Sequence, residues 1–197
     1  TMCKMLKEDV RTSHIPIILL TAKDSLQDKE EGYQVGADSY LTKPFSATLL
    51  HSRINNLLES RKRLAERLNT NTPHHNMDEK RALLADSLNK LDNEFLEKIN
   101  RLIEDRLSSE KIDIGYLADN MCMSKSTLYR KMKALTGLST NEYVRKIKMQ
   151  YAERLLLEGR YNVSEIAFRV GINSVVYFRQ CFKEEFGVLP SDYLKQP

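Results

Sequence analysis

A continuous apolar run at residues 15–20 marks the first part of the chain, and residues 39–41 are predicted to form a second short strand. Continuous apolar runs of this length are typical of parallel strands that are buried on both faces. Helices are predicted around them at residues 2–7, from Asp24 to about Val35 with an end at Gly36, and from Ser46 through residues 59–67. This alternation of helix and strand predicts part of an α/β layer.

Helical periodicity replaces this pattern in the rest of the chain. Residues 69–77 have no hydrophobic periodicity and are predicted to be a linker, whereas every segment from Asp78 onward is predicted to be helical. His74 and His75 lie in the linker without a third ligand nearby, so no metal site is predicted there. We predict three regions: residues 1–58, a helical and coil linker at residues 59–92, and a helical domain at residues 93–197.

An internal repeat is the strongest pattern in the helical part. Leu117, Ala118 and Met121 recur 49 positions later as Ile166, Ala167 and Val170. Five further positions recur after 50 residues, with Ser124, Leu128, Met132, Gly137 and Tyr143 repeated as Ser174, Phe178, Phe182, Gly187 and Tyr193. The one-residue offset falls between the two groups, where a turn is predicted and an insertion is tolerated.

Each copy of the repeat has the pattern of a helix-turn-helix unit. The units lie near residues 114–136 and 163–186. Ser124 and Ser174 stand where the second helix of each unit needs an N-cap, and Gly137 and Gly187 stand where that helix must end. Apolar residues at i and i+4 give the second helix one buried face, and its other face is free to enter a major groove of DNA.

The second helix of each unit supplies the candidate DNA-binding residues. They are Ser124, Lys125, Ser126, Thr127, Tyr129, Arg130 and Lys133 in the first unit, and Ser174, Val175, Val176, Arg179, Gln180 and Lys183 in the second. A connecting helix is predicted to begin at a cap on Thr140 or Asn141 and to run to Gly159. At about 20 residues it is roughly 30 Å long, close to the roughly 34 Å between successive major grooves.

One molecule is therefore predicted to read an asymmetric DNA site. The alternative is a plain helical bundle with an accidental repeat. It is disfavoured because both copies keep a cap, a small residue and an apolar pair in the same order. Charge supports the first interpretation: residues 111–197 carry 14 Lys and Arg against 9 Asp and Glu, whereas the rest of the chain carries 17 and 18. A basic half favours a polyanionic partner.

Composition argues against several other classes of protein. Cys3, Cys122 and Cys181 have neither the C-x-x-C spacing of metal sites nor the pattern of a disulfide framework. No apolar run approaches the roughly 20 residues that span a membrane, and no signal peptide is evident. The sequence shows no activated nucleophile, Gly-rich phosphate loop or paired carboxylates, so no enzyme activity, cofactor or metal is predicted for this chain.

Around the repeat, residues 95–194 resemble the AraC-type family of bacterial transcription regulators. The second copy carries the closest resemblance, in Val163-Ser-Glu-Ile-Ala-Phe-Arg-Val-Gly-Ile-Asn-Ser, Tyr177-Phe178-Arg179, Phe182-Lys183, Phe186-Gly187 and Pro190-Ser191. The resemblance implies a mainly α fold with seven helices and two helix-turn-helix units that control promoters. It also implies base-reading positions at Ser126, Tyr129 and Arg130, and at Val176 and Gln180 with Arg179 beside them. Val175 and Val176 replace longer polar residues, so apolar contact with thymine methyl groups is the interaction available there.

Residues 1–58 resemble the last two-fifths of a response-regulator receiver domain, an α/β domain. The matching segments are Ile15-Pro16-Ile17-Ile18-Leu19-Leu20-Thr21-Ala22 and Gly36-Ala37-Asp38-Ser39-Tyr40-Leu41-Thr42-Lys43-Pro44-Phe45. The resemblance implies that Thr21 and Lys43 contact a phosphoryl group, that Tyr40 is the aromatic switch residue, and that the Lys43-Pro44 peptide is cis. A hydroxyl group beside a cation suits an acyl phosphate.

The early strands of a receiver, with its acidic metal-binding pair and phosphorylated Asp, are absent from this chain. We therefore expect a fragment that does not complete a phosphorylation site by itself. The order of receiver, helical linker and AraC-type domain resembles the C-terminal end of hybrid two-component regulators, which fuse a sensor, a histidine kinase and a regulator. Because two strands are a poor folding unit, residues 1–58 are expected to be stabilised by another chain.

The predicted function is sequence-specific binding of promoter DNA by a transcription regulator of a two-component phosphorelay, with two recognition helices in adjacent major grooves. Two alternatives remain: a phosphorelay receiver in which DNA binding is secondary, and a dimerisation module with a short coiled coil at residues 57–68. The expected partners are double-stranded DNA, a second copy of the chain and, as a candidate, RNA polymerase, with no membrane contact. The expected location is the cytoplasm, with the inner membrane a candidate anchor for the parent protein.

Overall fold

A computed structural model describes residues 2–22, 36–69, 89–108 and 112–193 of the chain. The first part contains α1 (Met2–Glu8), β1 (Ile18–Thr21), β2 (Ser39–Thr42) and α2 (Ala47–Asn69). The two strands pair in parallel, with Ile18 opposite Ser39 and Thr21 opposite Thr42. Both predicted strands are confirmed, as are the predicted helix at residues 2–7 and the long helix predicted after Ser46.

Some predicted features fall outside the described residues. They are the helix from Asp24 to Val35 and the linker that holds His74 and His75. The Lys43-Pro44 peptide is cis, as the receiver resemblance implies. The predicted region boundaries at residues 58 and 92 lie inside continuous helices, and the division into three regions stays a prediction.

Seven helices form the described part of the C-terminal half, residues 89–108 and 112–193. They are α3 (Lys90–Glu104), α4 (Ile114–Asn120), α5 (Lys125–Thr136), α6 (Thr140–Leu157), α7 (Val163–Arg169), α8 (Val175–Phe186) and α9 (Pro190–Tyr193). The mainly α fold and the helix-turn-helix pairs predicted from the repeat are confirmed. The first pair is α4 and α5, and the second pair is α7 and α8.

Two apolar cores hold the helix pairs, and α6 contributes to both. Ile147 of α6 belongs to the first core, which also contains the repeat residues Leu128 and Met132. Met149 and Ala152, less than two turns further along α6, belong to the second core together with Phe178, Phe182 and others. Each helix-turn-helix unit is therefore anchored to the same connecting helix.

The connecting helix begins one residue earlier than the predicted caps. Ser139, rather than Thr140 or Asn141, is the N-cap: its hydroxyl accepts from the Glu142 backbone N–H at 3.3 Å. The Glu142 carboxylate accepts from the Ser139 N–H at 2.7 Å, which completes a capping box. The prediction missed the serine because it placed the cap from apolar periodicity and did not test for a Glu three residues further on.

The first part of the chain, residues 2–22 and 36–69, which we call the receiver portion, packs against the C-terminal half of the same chain. Val10 and Leu64 are partly buried against the first apolar core, and α2 lies along α5. Because two strands are a poor folding unit, residues 1–58 are predicted to need another chain for stability. In this structure the same chain supplies a packing surface for them, and stabilisation by a second copy stays a prediction.

Candidate nucleic-acid interface

The first helix-turn-helix unit turns sharply between α4 and α5. Cys122 occupies the turn with a positive φ of 52°, and the Met123 N–H donates to the Ala118 carbonyl at 2.9 Å. Ser124 then caps α5, since its hydroxyl accepts from the Thr127 N–H at 3.1 Å. α5 ends at Gly137, whose φ of 71° lies in the left-handed region that glycine adopts without steric cost.

The second unit repeats this geometry with one additional residue, Asn173, between the turn and the serine cap. Gly171 occupies the turn with a φ of 65°, and the Ile172 N–H donates to the Ala167 carbonyl at 2.9 Å. Ser174 caps α8 by accepting from the Tyr177 N–H at 3.2 Å. Gly187 ends α8 with a φ of 78°. Both serine caps and both glycine ends predicted from the sequence are therefore confirmed.

Most of the candidate DNA-binding side chains face solvent. The exposed residues are Ser124, Lys125, Ser126, Tyr129, Arg130 and Lys133 in the first unit, and Ser174, Val176, Arg179, Gln180 and Lys183 in the second. Thr127 and Val175 are half-buried. Val176 is 76% exposed although it is apolar, which leaves a methyl surface at the start of α8. This exposure is what groove entry requires, and contact with DNA stays a prediction for each residue.

Polar contacts join α8 to the connecting helix. Arg145 of α6 lies 3.6 Å from the Glu184 carboxylate, and Lys146 lies 3.9 Å from the Glu185 carboxylate. Glu184 in turn accepts from the side-chain amide of Gln180 at 3.1 Å. The Gln180 side chain is thus held by a neighbour one turn away, and its amide oxygen is left to accept hydrogen bonds from a ligand. Sequence reasoning missed this arrangement, although the i, i+4 spacing of Gln180 and Glu184 was visible.

A buried polar cluster anchors α5 on the opposite side from its exposed face. The Lys131 ammonium is 0% exposed and lies 2.5 Å from the Asp92 carboxylate of α3. It also donates to the Ser13 hydroxyl at 2.8 Å, and that hydroxyl donates to Asp92 at 2.7 Å. The side-chain amide of Asn89 donates to the second Asp92 oxygen at 2.8 Å. Burial lowers the pKa of Lys131, and its hydrogen bond to Asp92 limits that decrease.

His14 lies beside this cluster at 8% exposure. Its Nδ1 atom is buried without a hydrogen-bond partner among the described residues. Burial lowers the pKa of His14 to about 4, and the neighbouring Lys131 charge acts in the same direction. His14 is therefore neutral near pH 7. Neither Lys131 nor His14 was singled out from the sequence.

The receiver candidates lie at the carboxyl end of the two strands. Thr21 is the last residue of β1, and the Lys43 backbone N–H donates to the Thr21 carbonyl at 2.7 Å. Parallel pairing therefore brings Thr21 and Lys43 together at one edge of the sheet. Tyr40 lies within β2 and is half-buried, and the Lys43 side chain is exposed. Their switch roles stay predictions.

Comparison with known proteins yields a match for each half of the chain. The helix-turn-helix domain family matches residues 117–196, and the response regulator receiver domain family matches residues 1–55. Histidine kinase P4 of Formosa agariphila is 36% identical over 98% of this chain and 14% of its own length. The DNA-binding dual transcriptional regulator Rns of Escherichia coli is 32% identical over 50% of this chain and 37% of its own length.

A solved structure is also similar. The C-terminal domain of AraT, a response regulator from Geobacillus stearothermophilus, has 30% identity and a TM-score of 0.47, and covers 51% of this chain and 84% of that chain. Residues 117–196 therefore form a helix-turn-helix domain of the AraC type, and residues 1–55 form part of a response regulator receiver domain.

The chain is much shorter than the curated relatives it matches, spanning 14% of Histidine kinase P4 and 37% of Rns. Within the ranges that the structure describes, no helix combines the length and the apolar character needed to cross a lipid bilayer.

Proposed function

We propose that this chain regulates transcription by binding double-stranded promoter DNA, with α5 and α8 in adjacent major grooves. One observation carries the proposal: two exposed helices with the same Ser cap and the same Gly end are anchored to one connecting helix. α6 has 18 residues and is therefore about 27 Å long. With the two units that flank it, α6 is long enough to span the roughly 34 Å between successive major grooves.

Particular side chains are assigned to base reading by their chemistry. The Arg130 guanidinium suits bidentate contact with guanine, and the Gln180 amide suits adenine. The Val176 methyl groups suit the methyl group of thymine. The remaining base-reading candidates are Ser126 and Tyr129, and those for phosphate contact are Ser124, Lys125, Thr127, Lys133, Ser174, Val175 through its backbone, Arg179 and Lys183.

We further propose that the parent protein is a hybrid two-component regulator that contains a histidine kinase. The receiver match and the similarity to Histidine kinase P4 across almost the whole chain support this proposal. Thr21, Tyr40 and Lys43 then act as the switch of a receiver whose phosphorylated Asp lies outside this chain. Pairing of two copies, contact with RNA polymerase and a cytoplasmic location beneath an inner-membrane anchor belong to the same proposal.

Selection from a random pool of DNA with the full chain tests the proposed DNA binding. We expect one enriched motif. Gln180→Ala should lose about 1–3 kcal/mol of binding free energy at particular base pairs of that motif. Arg63→Ala is the control, because Arg63 is exposed on α2 and pairs only loosely with Glu59 at 3.5 Å. A pool without any enriched motif contradicts the proposal. Uniform weakening of Gln180→Ala on all sequences reassigns Gln180 to a phosphate contact.

A further inference from the structure

A carboxylate lies one helical turn beyond Gln180, the residue of α8 that is predicted to read a base. The Gln180 side-chain Nε2 donates to Oε1 of Glu184 at 3.1 Å. Both residues are exposed, and residues four positions apart lie on the same face of a helix. The contact with Glu184 therefore acts on a side chain of the surface that is proposed to face DNA.

The chemistry of a carboxylate determines which end of the Gln180 amide it binds. A glutamine amide has an oxygen that accepts hydrogen bonds and an NH2 group that donates two. A carboxylate has only acceptors, so Glu184 binds the NH2 group. A reversed amide would place its oxygen against the negative charge of Glu184. The amide oxygen is thus directed away from Glu184 and is left to accept from a ligand.

Arg145 of the connecting helix α6 contacts the other oxygen of the same carboxylate. Its Nη1 lies 3.6 Å from Oε2 of Glu184, and its guanidinium is also hydrogen-bonded to the Tyr177 side chain. Tyr177 and Glu184 flank Gln180 along α8, so Arg145 bridges the two neighbours of the base-reading residue. Because the Arg145 and Glu184 side chains are 45% and 51% exposed, this ion pair contributes little to stability. Its main effect is on the placement of the carboxylate.

The first unit has different residues at the equivalent positions. Arg130 and Ala134 lie 50 residues before Gln180 and Glu184. A guanidinium group donates from all of its nitrogens, so reversing it changes nothing that a base can detect. An amide has two different ends, and reversing it exchanges an acceptor for a donor. The carboxylate is therefore present in the unit whose base-reading side chain needs an orientation.

We propose that Glu184 is a positioning residue that sets the base preference of α8 through Gln180. This inference rests on the proposed DNA binding. Adenine and cytosine present an amino group in the major groove, whereas guanine and thymine present an oxygen there. The oriented amide oxygen accepts from the amino group, and the second N–H of Gln180 can donate to N7 of adenine. The chain therefore prefers adenine, and next cytosine, at the base pair that Gln180 reads.

Replacing Glu184 tests this role in the full chain. Binding to single-base variants of the selected motif gives the preference for adenine or cytosine over guanine or thymine, at the base pair that Gln180→Ala identifies. We expect a preference of about tenfold in the unmodified chain and about twofold in Glu184→Ala, because an amide without the carboxylate rotates to suit either kind of base. Alanine is a good helix former, so the substitution keeps α8 intact.

Two further variants isolate the effect. Glu97→Ala removes the same charge from an exposed glutamate of α3, whose carboxylate accepts from Arg101 one turn away at 3.3 Å. It should keep the tenfold preference. In the Gln180→Ala background, Glu184→Ala should leave the remaining base preferences unchanged, since a positioning residue acts only through the group it positions. A carboxylate that reads cytosine directly would still lose that preference in this background.

The other outcomes separate the two proposals. An unchanged preference in Glu184→Ala, an equal fall in Glu97→Ala, or a fall that persists without Gln180 overturns the positioning role while leaving DNA binding intact. Uniform weakening of Gln180→Ala on all sequences also overturns it. If no chain enriches any DNA motif, the proposed function fails, and the positioning role fails with it.

Discussion

Lys131 occupies a position where a surface cation was to be expected. It lies between Arg130 and Lys133 in a basic helix, yet its ammonium is fully buried. Asp92 and Ser13, its hydrogen-bond partners, are 39 and 118 residues away in the sequence. The 4.9 Å distance from the ammonium to the Phe95 ring centre adds a favourable cation–π contact. A buried charge of this kind is retained only when its partners are correctly placed.

Removing the Lys131 charge should therefore be costly. Lys131→Met keeps the volume but leaves Asp92 buried without its cation, so we expect the free energy of unfolding to fall by about 3 kcal/mol. The hydrogen bonds from Ser13 and Asn89 keep the loss at the lower end of the usual range. Urea denaturation measures the change.

Two further variants make this prediction specific. Lys133→Met changes an exposed lysine two residues away and should alter stability by less than about 0.5 kcal/mol. The pair Lys131→Met with Asp92→Leu should recover most of the loss, because no unpaired charge remains. Equal effects of Lys131→Met and Lys133→Met would show that the buried pair has no special energetic role.

His14 should give the fold a dependence on pH near neutrality. Its pKa is about 4 in the folded chain and about 6.5 in the unfolded chain. Below pH 6.5 the His14 imidazole binds a proton in the unfolded chain but stays neutral in the folded chain. The free energy of unfolding therefore falls as the pH decreases towards 4. The slope contributed by His14 is at most about 1.4 kcal/mol per pH unit.

The charged neighbours of His14 determine the pH range in which urea denaturation can isolate its contribution. Lys131, Arg61 and Lys7 lower its pKa, and Asp92 raises it. Asp9, whose pKa is lowered to about 2 by its hydrogen bond with Arg11, does not titrate between pH 7 and pH 5. Urea denaturation in that range should show a shallower pH dependence for His14→Gln than for the unmodified chain. Parallel curves for the two chains would assign the pH dependence to other groups.

At the scale of secondary-structure elements, local chemistry makes the boundaries predictable. Ser124 and Ser174 accept hydrogen bonds from backbone N–H groups within three residues, and Gly137 and Gly187 adopt left-handed backbone angles. These interactions depend on neighbours in sequence, so the sequence contains the information needed to place them. Ser139 follows the same rule, because a Ser followed three residues later by a Glu is the sequence pattern of a capping box.

The Ser139 cap should contribute measurably to the connecting helix. Ser139→Ala removes the hydroxyl that accepts from Glu142 N–H, and we expect a loss of about 1 kcal/mol in the free energy of unfolding. Ser52→Ala is the control: Ser52 is exposed in the middle of α2, and alanine is a better helix former there. A loss in Ser52→Ala as large as that in Ser139→Ala would contradict a role for the cap.

In the long helix α2, the spacing of the leucines does not reveal which surface they pack against. The hypothesis of a coiled coil at residues 57–68 requires its leucines to face a partner helix. Leu64 instead packs against the first apolar core, whereas Leu58 is 57% exposed. Periodicity identifies apolar positions but does not identify which of them are covered or by what, because the covering core is formed by residues from Phe95 onward.

At the scale of the whole molecule, the two units and their connecting helix follow from the repeat, whereas the docking of the receiver portion does not. The residues that form each unit lie close together in the sequence, and the same pattern occurs in both copies of the repeat. The docking contact joins Ser13 to Lys131 once, with no second copy to reveal it. Single long-range contacts between polar residues leave no periodic signal, so they emerge only when the chain is folded.

The separation of the two recognition helices can be measured on DNA. Arg130→Ala and Gln180→Ala should each lose preference at different base pairs of the selected motif, by about 1–3 kcal/mol. If α6 holds α5 and α8 in neighbouring grooves on one face, as proposed, the two sets of base pairs should be centred about 10 base pairs apart. Quantitative binding to a panel of single-base variants of the motif measures this spacing.

Arg63→Ala provides the control for this measurement, because Arg63 is exposed on α2 and should leave every base preference unchanged. Overlapping sets of affected base pairs, or a spacing of about half a helical turn, would place α5 and α8 on different faces of the duplex. The connecting helix would then not determine the distance between the two sets of contacted base pairs.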